Sequence, residues 1–280
     1  MKKAHSIKRL CAAFEVARST YYDWLARRRA PANPGHQRVL AEVRVIHRQT
    51  HASYGRRRMS AELRRRDFEV GPFRARSLMR EAGLAVEVPK PPIYPKSKGA
   101  PDAVAPNHLD RQFDVTVPGT VFAGDITYIW AQSGWLYLAV AMDLCARRIV
   151  GWATSAHADA DLVIRALRLA LPHRHPTQGL MFHSDQGCQY TSAAFRTFLA
   201  DNRITQSMSR RGNCWDNAPV ERFFRSLKSE RIRTTIYRDH GQARAEVHDY
   251  IARFYNTSRL HSAAGGNPPA VQHAALRKAA

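Results

Sequence analysis

Apolar residues fall at helical spacing up to about residue 84 and at strand spacing beyond about residue 120. In the first stretch, Ile7, Leu10 and Phe14 form one stripe, and a second helix runs through Tyr21, Tyr22 and Trp24 with Ser19 as a candidate cap. Residues 5–29 read equally as the end of a helix-turn-helix or as a pair of surface helices. Residues 37–84 predict three more helices. Val39, Val43 and Ile46 line the first, and Met59 and Leu63 belong to the second. The third starts near Pro72, turns Leu78 and Met79 inward and stops at Gly83. Residues 85–106 carry six prolines among three lysines, the pattern of an extended, semi-rigid linker.

After the linker the predicted strands are Val121 to Trp130, Trp135 to Leu144 and Arg148 to Ala153, close enough together for an antiparallel meander. Asp159 caps a helix with a stripe of Val163, Ala166, Leu167 and Ala170, ended by Pro172. Leu180-Met181-Phe182 is a short buried strand. Thr191 or Ser192 opens a helix with Phe195, Phe198 and Leu199, and Ile204 to Met208 is the last strand. A helix over 218–230 follows, with Asp216 or Asn217 as its cap and Pro219 in its first turn. Three strands, helix, strand, helix, strand, helix is the ribonuclease H-like order. It predicts an α/β fold whose mixed sheet has its first three strands antiparallel, preceded by a small all-α, helix-turn-helix-like region. The expected organisation is a helical segment over 1–36, a basic helical domain over 37–84, the linker over 85–106, and a core over 107–280 ending in a C-terminal helix and tail.

Charge adds a partner. Of the formal net charge of +21, residues 1–100 carry +15, from 23 basic and 8 acidic residues. A basic arm joined to a nearly balanced domain points to a polyanion, nucleic acid above all. Arg56, Arg57, Arg58, Arg74, Arg76 and Arg80 are the candidate phosphate contacts, three of them within one and a half turns of one helix. The four cysteines lie far apart with no C-x-x-C pair, so no zinc knuckle or disulfide framework is expected. No signal peptide and no run of 18 apolar residues is present, so the expected location is the cytoplasm, on the nucleoid, with no membrane partner.

Candidate chemistry lies in three carboxylates. Asp125 interrupts an apolar strand in Gly124-Asp125-Ile126-Thr127-Tyr128-Ile129, where a charge is costly unless paired or metal-bound. Asp185 ends a short strand in His183-Ser184-Asp185-Gln186-Gly187. Glu221 falls in the first turn of the helix after Trp215-Asp216-Asn217-Ala218-Pro219. In the expected fold Asp125 lies mid-sheet, Asp185 at the end of the neighbouring strand, and Glu221 reaches in from the helix beside them. Attack on a phosphodiester needs an activated oxygen and a stabilised leaving oxygen. Two divalent ions roughly 4 Å apart supply both, and Mg²⁺, with Mn²⁺ as a substitute, prefers oxygen donors. The 35 residues between Asp185 and Glu221 carry no weight alone. What carries weight is the order strand, strand end, helix.

Taken together, these motifs resemble the second-reading-frame (OrfB) transposases of the IS-three family of bacterial insertion sequences, within the DDE transposase and retroviral integrase superfamily. The resemblance covers nearly the whole chain. It includes Tyr54-Gly55-Arg56-Arg57-Arg58, the three carboxylate stretches, Asp143-Leu144 with Arg147, Ile149-Val150-Gly151-Trp152 and Ser207-Met208-Ser209-Arg210. It ends in Tyr255-Asn256, Arg259, His261, and Gly266 before Pro268. It implies Asp125, Asp185 and Glu221 as catalytic metal ligands, and Lys228, with Arg225 nearby, against transposon-end DNA. It also implies cleavage of insertion-sequence ends with strand transfer to target DNA, action as a homo-oligomer on DNA, and an upstream-frame partner (OrfA), fused by frameshifting, that brings the main helix-turn-helix and a leucine zipper. Phe122 and Gly124 depart from the family's usual Trp and Thr, and neither removes a ligand.

Asp143 reads as a turn cap with Arg147. For His183 beside Asp185, the expectation is that strand alternation, which sends adjacent side chains to opposite faces, rules out both a metal ligand and a hydrolase triad. His173-Arg174-His175 is bracketed by prolines and reads as loop. Tyr255, Asn256, Arg259 and His261 follow a helix with stripe Ala243, Val247, Ile251 and Phe254, and either pin the C-terminus or touch DNA. Two other functions stay open at this point: a DNA-binding regulator with a non-catalytic core, and a ribonuclease H-type nuclease.

Overall fold

A computed structural model describes residues 6–29, 34–86, 104–211, 213–232 and 235–279. Most of the predicted linker falls outside these residues. The N-terminal helices are α1 (Ile7–Ala13), α2 (Arg18–Arg29), α3 (Pro34–Gln49), α4 (Arg56–Arg65) and α5 (Pro72–Glu81). Ser6 caps α1, accepting from the Arg9 N–H. Two expectations fail here. The α1 stripe is not buried as read, because Cys11 turns inward while Phe14 is 67% exposed. Ser19 lies inside the first turn of α2, which starts at Arg18. The helices α3 to α5 form the real core of this part. Val43, Ile46, Met59, Leu63 and Ala75 are each fully buried, which follows from apolar spacing of three and four.

A five-stranded sheet organises the remainder: β1 (Val121–Ala131), β2 (Gly134–Asp143), β3 (Arg148–Ser155), β4 (Leu180–Ser184) and β5 (Ile204–Met208). Its spatial order is β3-β2-β1-β4-β5. The first three strands are antiparallel, while β4 and β5 run parallel to β1. This is the ribonuclease H-like mixed sheet expected from the element order. Strand alternation sorts the core into two. Val121, Ala123, Ile129, Leu136, Leu138 and Val140 face one cluster, which continues into α3 to α5. Phe122, Ala139 and Ala141 face the other, covered by α6 (Ala160–Ala170) and α8 (Ala193–Asp201).

Two glycines allow close approaches. A Cβ on Gly151 would stand 2.2 Å from the Ala166 carbonyl oxygen, so α6 lies directly on β3. A Cβ on Gly124 would stand 2.3 Å from Cζ of Phe182, whose ring fills that space. Gly124 is therefore a fitted position; the ring of Phe182 replaces the missing side chain.

A one-turn helix, α7 (Cys188–Thr191), follows β4, and α9 (Ala218–Glu230) and α10 (His240–His248) follow β5. α10 continues as a π-helical segment over Asp249–Tyr255. The chain closes with α11 (Pro269–Ala279), an ordered helix where a tail was expected. Asn256 holds the outer edge of β3: its Oδ1 accepts from the Ile149 N–H at 3.1 Å and its Nδ2 donates to the Ile149 carbonyl at 3.0 Å. The Tyr255 hydroxyl donates to the Arg147 carbonyl at 3.1 Å. Arg259 donates through Nε and a terminal nitrogen to Glu230 at the end of α9. These C-terminal residues pin the chain to the sheet. The helical region is clamped to the same place, since the Tyr54 hydroxyl accepts from the Leu260 N–H at 2.9 Å and donates to the Ser258 carbonyl.

Asp143 is fully buried and accepts from the Gly119 N–H, the Cys145 N–H and His273. The Cys145 bond is the turn cap expected, but Arg147 donates instead to the Leu144 carbonyl. Arg148 can only donate, so Nδ1 of His273 accepts from it and the proton sits on Nε2, aimed at Asp143. No helix among the described residues is long and apolar enough to cross a membrane.

Candidate active site

The register of the sheet brings the first two carboxylates together. Ala123 on β1 pairs with His183 on β4, and two residues further along both chains lie Asp125 and Asp185. Equal offsets from a parallel pair keep both on the same face of the sheet. Glu221 comes from the first turn of α9, which packs on β1. Asn217, at the start of α9, ties the two elements: its Nδ2 donates to the Gly124 carbonyl at 3.1 Å, one residue before Asp125. It does not cap the helix with its side chain, which corrects that part of the sequence reading.

Asp216 is not the cap either. It is fully buried and accepts from Nε of Arg111, from Nε and a terminal nitrogen of Arg210, and from Nδ2 of Asn107. The Arg210 side chain first, together with these other donors, holds its carboxyl well below the usual carboxylate range. Asp216 therefore stays ionised and fastens the approach to α9. This clasp could not be read from local pattern, because two of its partners, Asn107 and Arg111, lie more than a hundred residues upstream.

The three candidate carboxylates behave in the opposite way. Asp125 is pushed well above its ordinary value, by burial first and then by Asp185, with a smaller push from Glu221. The Ile126 N–H (2.7 Å to Oδ1) and the charge of Lys228 work against this. Asp185 is an exposed residue, yet its carboxyl is crowded by protein and is raised by desolvation, opposed by a hydrogen bond from the Gly187 N–H at 3.0 Å. Glu221 is raised by burial, lowered by Arg225 and raised again by Asp185. Asp125 and Glu221 thus both feel the charge of Asp185, which is the electrostatic signature of negative charge gathered in one place.

Among the described residues no three His, Cys, Asp or Glu side chains stand close enough together, as they are placed, to hold one ion. The donor chemistry still fits hard divalent cations: three carboxylates from strand, strand end and helix, with no imidazole or thiol. His183, two residues before Asp185, shares its face, so alternation does not separate them as expected; His183 is unavailable because Ser207 and Ser209 occupy both of its ring nitrogens at 2.9 and 3.1 Å.

The basic candidates separate into groups. Arg225 and Lys228 fall four and seven residues after Glu221 and so share its face of α9. Arg225 is exposed, and Nζ of Lys228 lies 4.7 Å from the ring centre of Tyr128. Arg57, Arg74, Arg76 and Arg80 are exposed, and Arg56 stacks on the exposed ring of Phe73 at 5.2 Å. Arg58 turns the other way, over Tyr54 and to within 3.7 Å of Glu230. It joins the clamp between the helical region and the core.

Residues 116–214 and 202–269 match two models described as integrase core domain, and residues 35–92 match an HTH-like domain. Transposase InsF for insertion sequence IS3A from Escherichia coli strain K12 is 36% identical over 268 residues, covering 94% of this chain and 92% of that protein. The chain belongs to the IS3-type insertion-sequence transposases. The 31 kDa protein of insertion element IS600 from Shigella sonnei is 35% identical, across 93% of this chain and 96% of its own. In solved structures, the catalytic core of HTLV-2 integrase in complex with magnesium is similar at a TM-score of 0.43 and 16% identity, covering 56% of this chain and 97% of that one. As an IS3-type transposase with an integrase core, the chain is an enzyme of the DDE polynucleotidyl transferase class.

Proposed function

We propose that this transposase cleaves DNA at insertion-sequence ends and transfers the 3′-hydroxyl to a second strand, with Asp125, Asp185 and Glu221 as its catalytic carboxylates. The observation that carries the proposal is the convergence of these three acids beside one strand, with each raised above its ordinary value partly or mainly by burial. Desolvated like charges are unfavourable in the protein alone and become favourable when cations join them. Asp125, Asp185 and Glu221 would hold Mg²⁺, or Mn²⁺ in its place. When bound, two such ions supply activation of the attacking oxygen and neutralise charge on the leaving one.

The rest is done by the chain. Asn217 and Asp216 fix the start of α9, and so the reach of Glu221 toward Asp125. Arg225 and Lys228 on the same helix hold the phosphate backbone in line. A 3′-hydroxyl or water forms the new P–O bond while the opposite P–O bond breaks, and no side chain serves as nucleophile. The basic helices over 37–84, with Arg56, Arg57, Arg74, Arg76 and Arg80, bind the DNA flanking the reacting end. The working form is an oligomer on DNA in the bacterial cytoplasm, joined by the upstream-frame product.

A branched DNA that mimics a strand-transfer product tests the reading without knowledge of the terminal repeats. The wild type resolves it with Mn²⁺ and not with EDTA, while Asp185→Asn binds it but leaves it intact. Equal resolution by Asp185→Asn, or loss of DNA binding in all three of Asp125→Asn, Asp185→Asn and Glu221→Gln, would overturn the assignment.

A further inference from the structure

The β1–β2 hairpin carries a row of aromatic rings that phosphoryl transfer leaves unused. Trp130 and Trp135 are direct cross-strand partners, with ring centres 4.8 Å apart at 69°. They are 54% and 45% exposed. Trp135 stands edge-on to Tyr128 at 5.1 Å, and Nζ of Lys228 lies 4.7 Å from the Tyr128 ring centre. A continuous row therefore runs from a cation on α9 out along the hairpin. It starts three residues past Asp125 and ends five past it, about 10 to 17 Å along β1 at ~3.3 Å per residue; these odd offsets put the rings on the face opposite the Asp125 side chain, and Lys228, whose charge also acts on Asp125, spans the two. That is the reach of a few nucleotides from a phosphate held at Asp125, at ~3.4 Å per nucleotide along one stacked strand.

Two adjacent tryptophans left in water are unusual, because each ring could bury a large apolar area. Their neighbours indicate what covers them. The chain carries a net charge of +21, and the row joins a lysine on the helix that bears Glu221. Aromatic rings beside a cation are the chemistry of unpaired nucleic acid, whose bases stack regardless of sequence while the cation meets the backbone.

We propose that Trp130 and Trp135 form a stacking platform for a nucleobase unpaired next to the scissile phosphate. Lys228 meets the adjoining phosphate, and Tyr128 positions Lys228. The inference rests on the reading that DNA reacts at Asp125, but its binding step needs no metal and no turnover.

The test uses the full chain in EDTA with two DNAs of equal duplex length. One is blunt, and the other carries a three-nucleotide single-stranded 3′ overhang with 2-aminopurine at its centre. The wild type and Asp185→Asn are expected to bind the overhang DNA about tenfold more tightly than the blunt one and to quench the 2-aminopurine. Trp130→Ala with Trp135→Ala loses both the preference and the quenching, while keeping its affinity for blunt DNA. Trp130→Phe with Trp135→Phe retains most of the preference, which separates stacking from a folding defect. Unchanged overhang preference in the alanine pair overturns the platform. So does an alanine pair whose only change, seen by sedimentation, is loss of self-association, since the rings then join copies of the chain. Loss of branched-DNA resolution with the preference intact would sink the catalytic reading alone. Resolution without the preference would sink the platform alone.

Discussion

Replacing Gly124 with alanine perturbs the site through packing alone. The added methyl carbon stands 2.3 Å from Cζ of Phe182 and 3.1 Å from the Val140 carbonyl oxygen. Carbon atoms rest at about 3.5–4.0 Å, so the ring must retreat by more than about 1 Å. It has little room, since it is buried and leans on Phe195 at 5.5 Å and Tyr190 at 6.0 Å. Overpacking of this kind costs about 1–3 kcal/mol. Lower freedom of the unfolded chain offsets up to ~1 kcal/mol of it. The net loss of about 1–2 kcal/mol corresponds to a fall in Tm of roughly 3–6 °C for a domain of this size. Phe182→Leu removes the offending ring end and costs stability by itself through the cavity it leaves. In the double variant the methyl occupies part of that cavity, so the combined loss falls short of the sum by about 1 kcal/mol or more. Thermal denaturation of the four proteins followed by circular dichroism measures this. Full additivity, or a Gly124→Ala protein as stable as the wild type, refutes the packing argument. Because Asp125 is the next residue, Gly124→Ala is also expected to lower resolution of branched DNA by more than its stability loss explains.

Other outcomes follow from the same contacts. Burial holds His183 down at about 4, against an ordinary 6.5, and His261 likewise. Between these values the unfolded chain binds protons that the folded one does not, so stability rises with pH across this window and is lost on acidification, by up to ~3 kcal/mol per histidine. Urea titrations of wild type and His183→Gln from pH 4 to 7 should show the variant with a shallower slope, and equal slopes would contradict the assignment. Glu230→Gln leaves the buried Arg259 guanidinium without its charge partner and is expected to cost about 3 kcal/mol in urea denaturation; a loss under ~1 kcal/mol counts against the clamp. Alanine at Arg74, Arg76 or Arg80 should weaken DNA binding on all sequences and lower the salt slope by about 1 each. Arg58→Ala should reduce stability and leave that slope unchanged.

The sheet could be read from the chain because alternation and short turns are local properties. All five strands fall within about two residues of their expected positions, and α9 matches over its whole length. The three carboxylates were visible for the same reason, since Asp125 breaks an apolar strand run while Asp185 and Glu221 sit at the end of β4 and the start of α9. What stayed hidden depends on distant partners. Local pattern at Asn217 and Asp216 does not reveal that one clasps β1 and the other joins an arginine ahead of the first strand to one after the last. The stripe Ala243, Val247, Ile251 and Phe254 does predict a buried helix, but not its π-helical second half. Arg58 looks like its neighbours in a basic run, and only the fold turns it toward Glu230.

The clasp made by Asn256 also bears on how the molecule comes to exist. Asn256 does for the outer edge of β3 what one further strand residue would do, and Ala270 then donates to the Asn256 carbonyl at 2.8 Å. Tyr54 waits for Leu260, 206 residues later in the chain. A ribosome that has delivered all three carboxylates has therefore not yet delivered the residues that close the sheet edge or seat the basic helices. Contacts this distant in sequence make for slow closure. Synthesis stopped just after α9 should yield an open-edged, aggregation-prone fragment in place of a smaller nuclease.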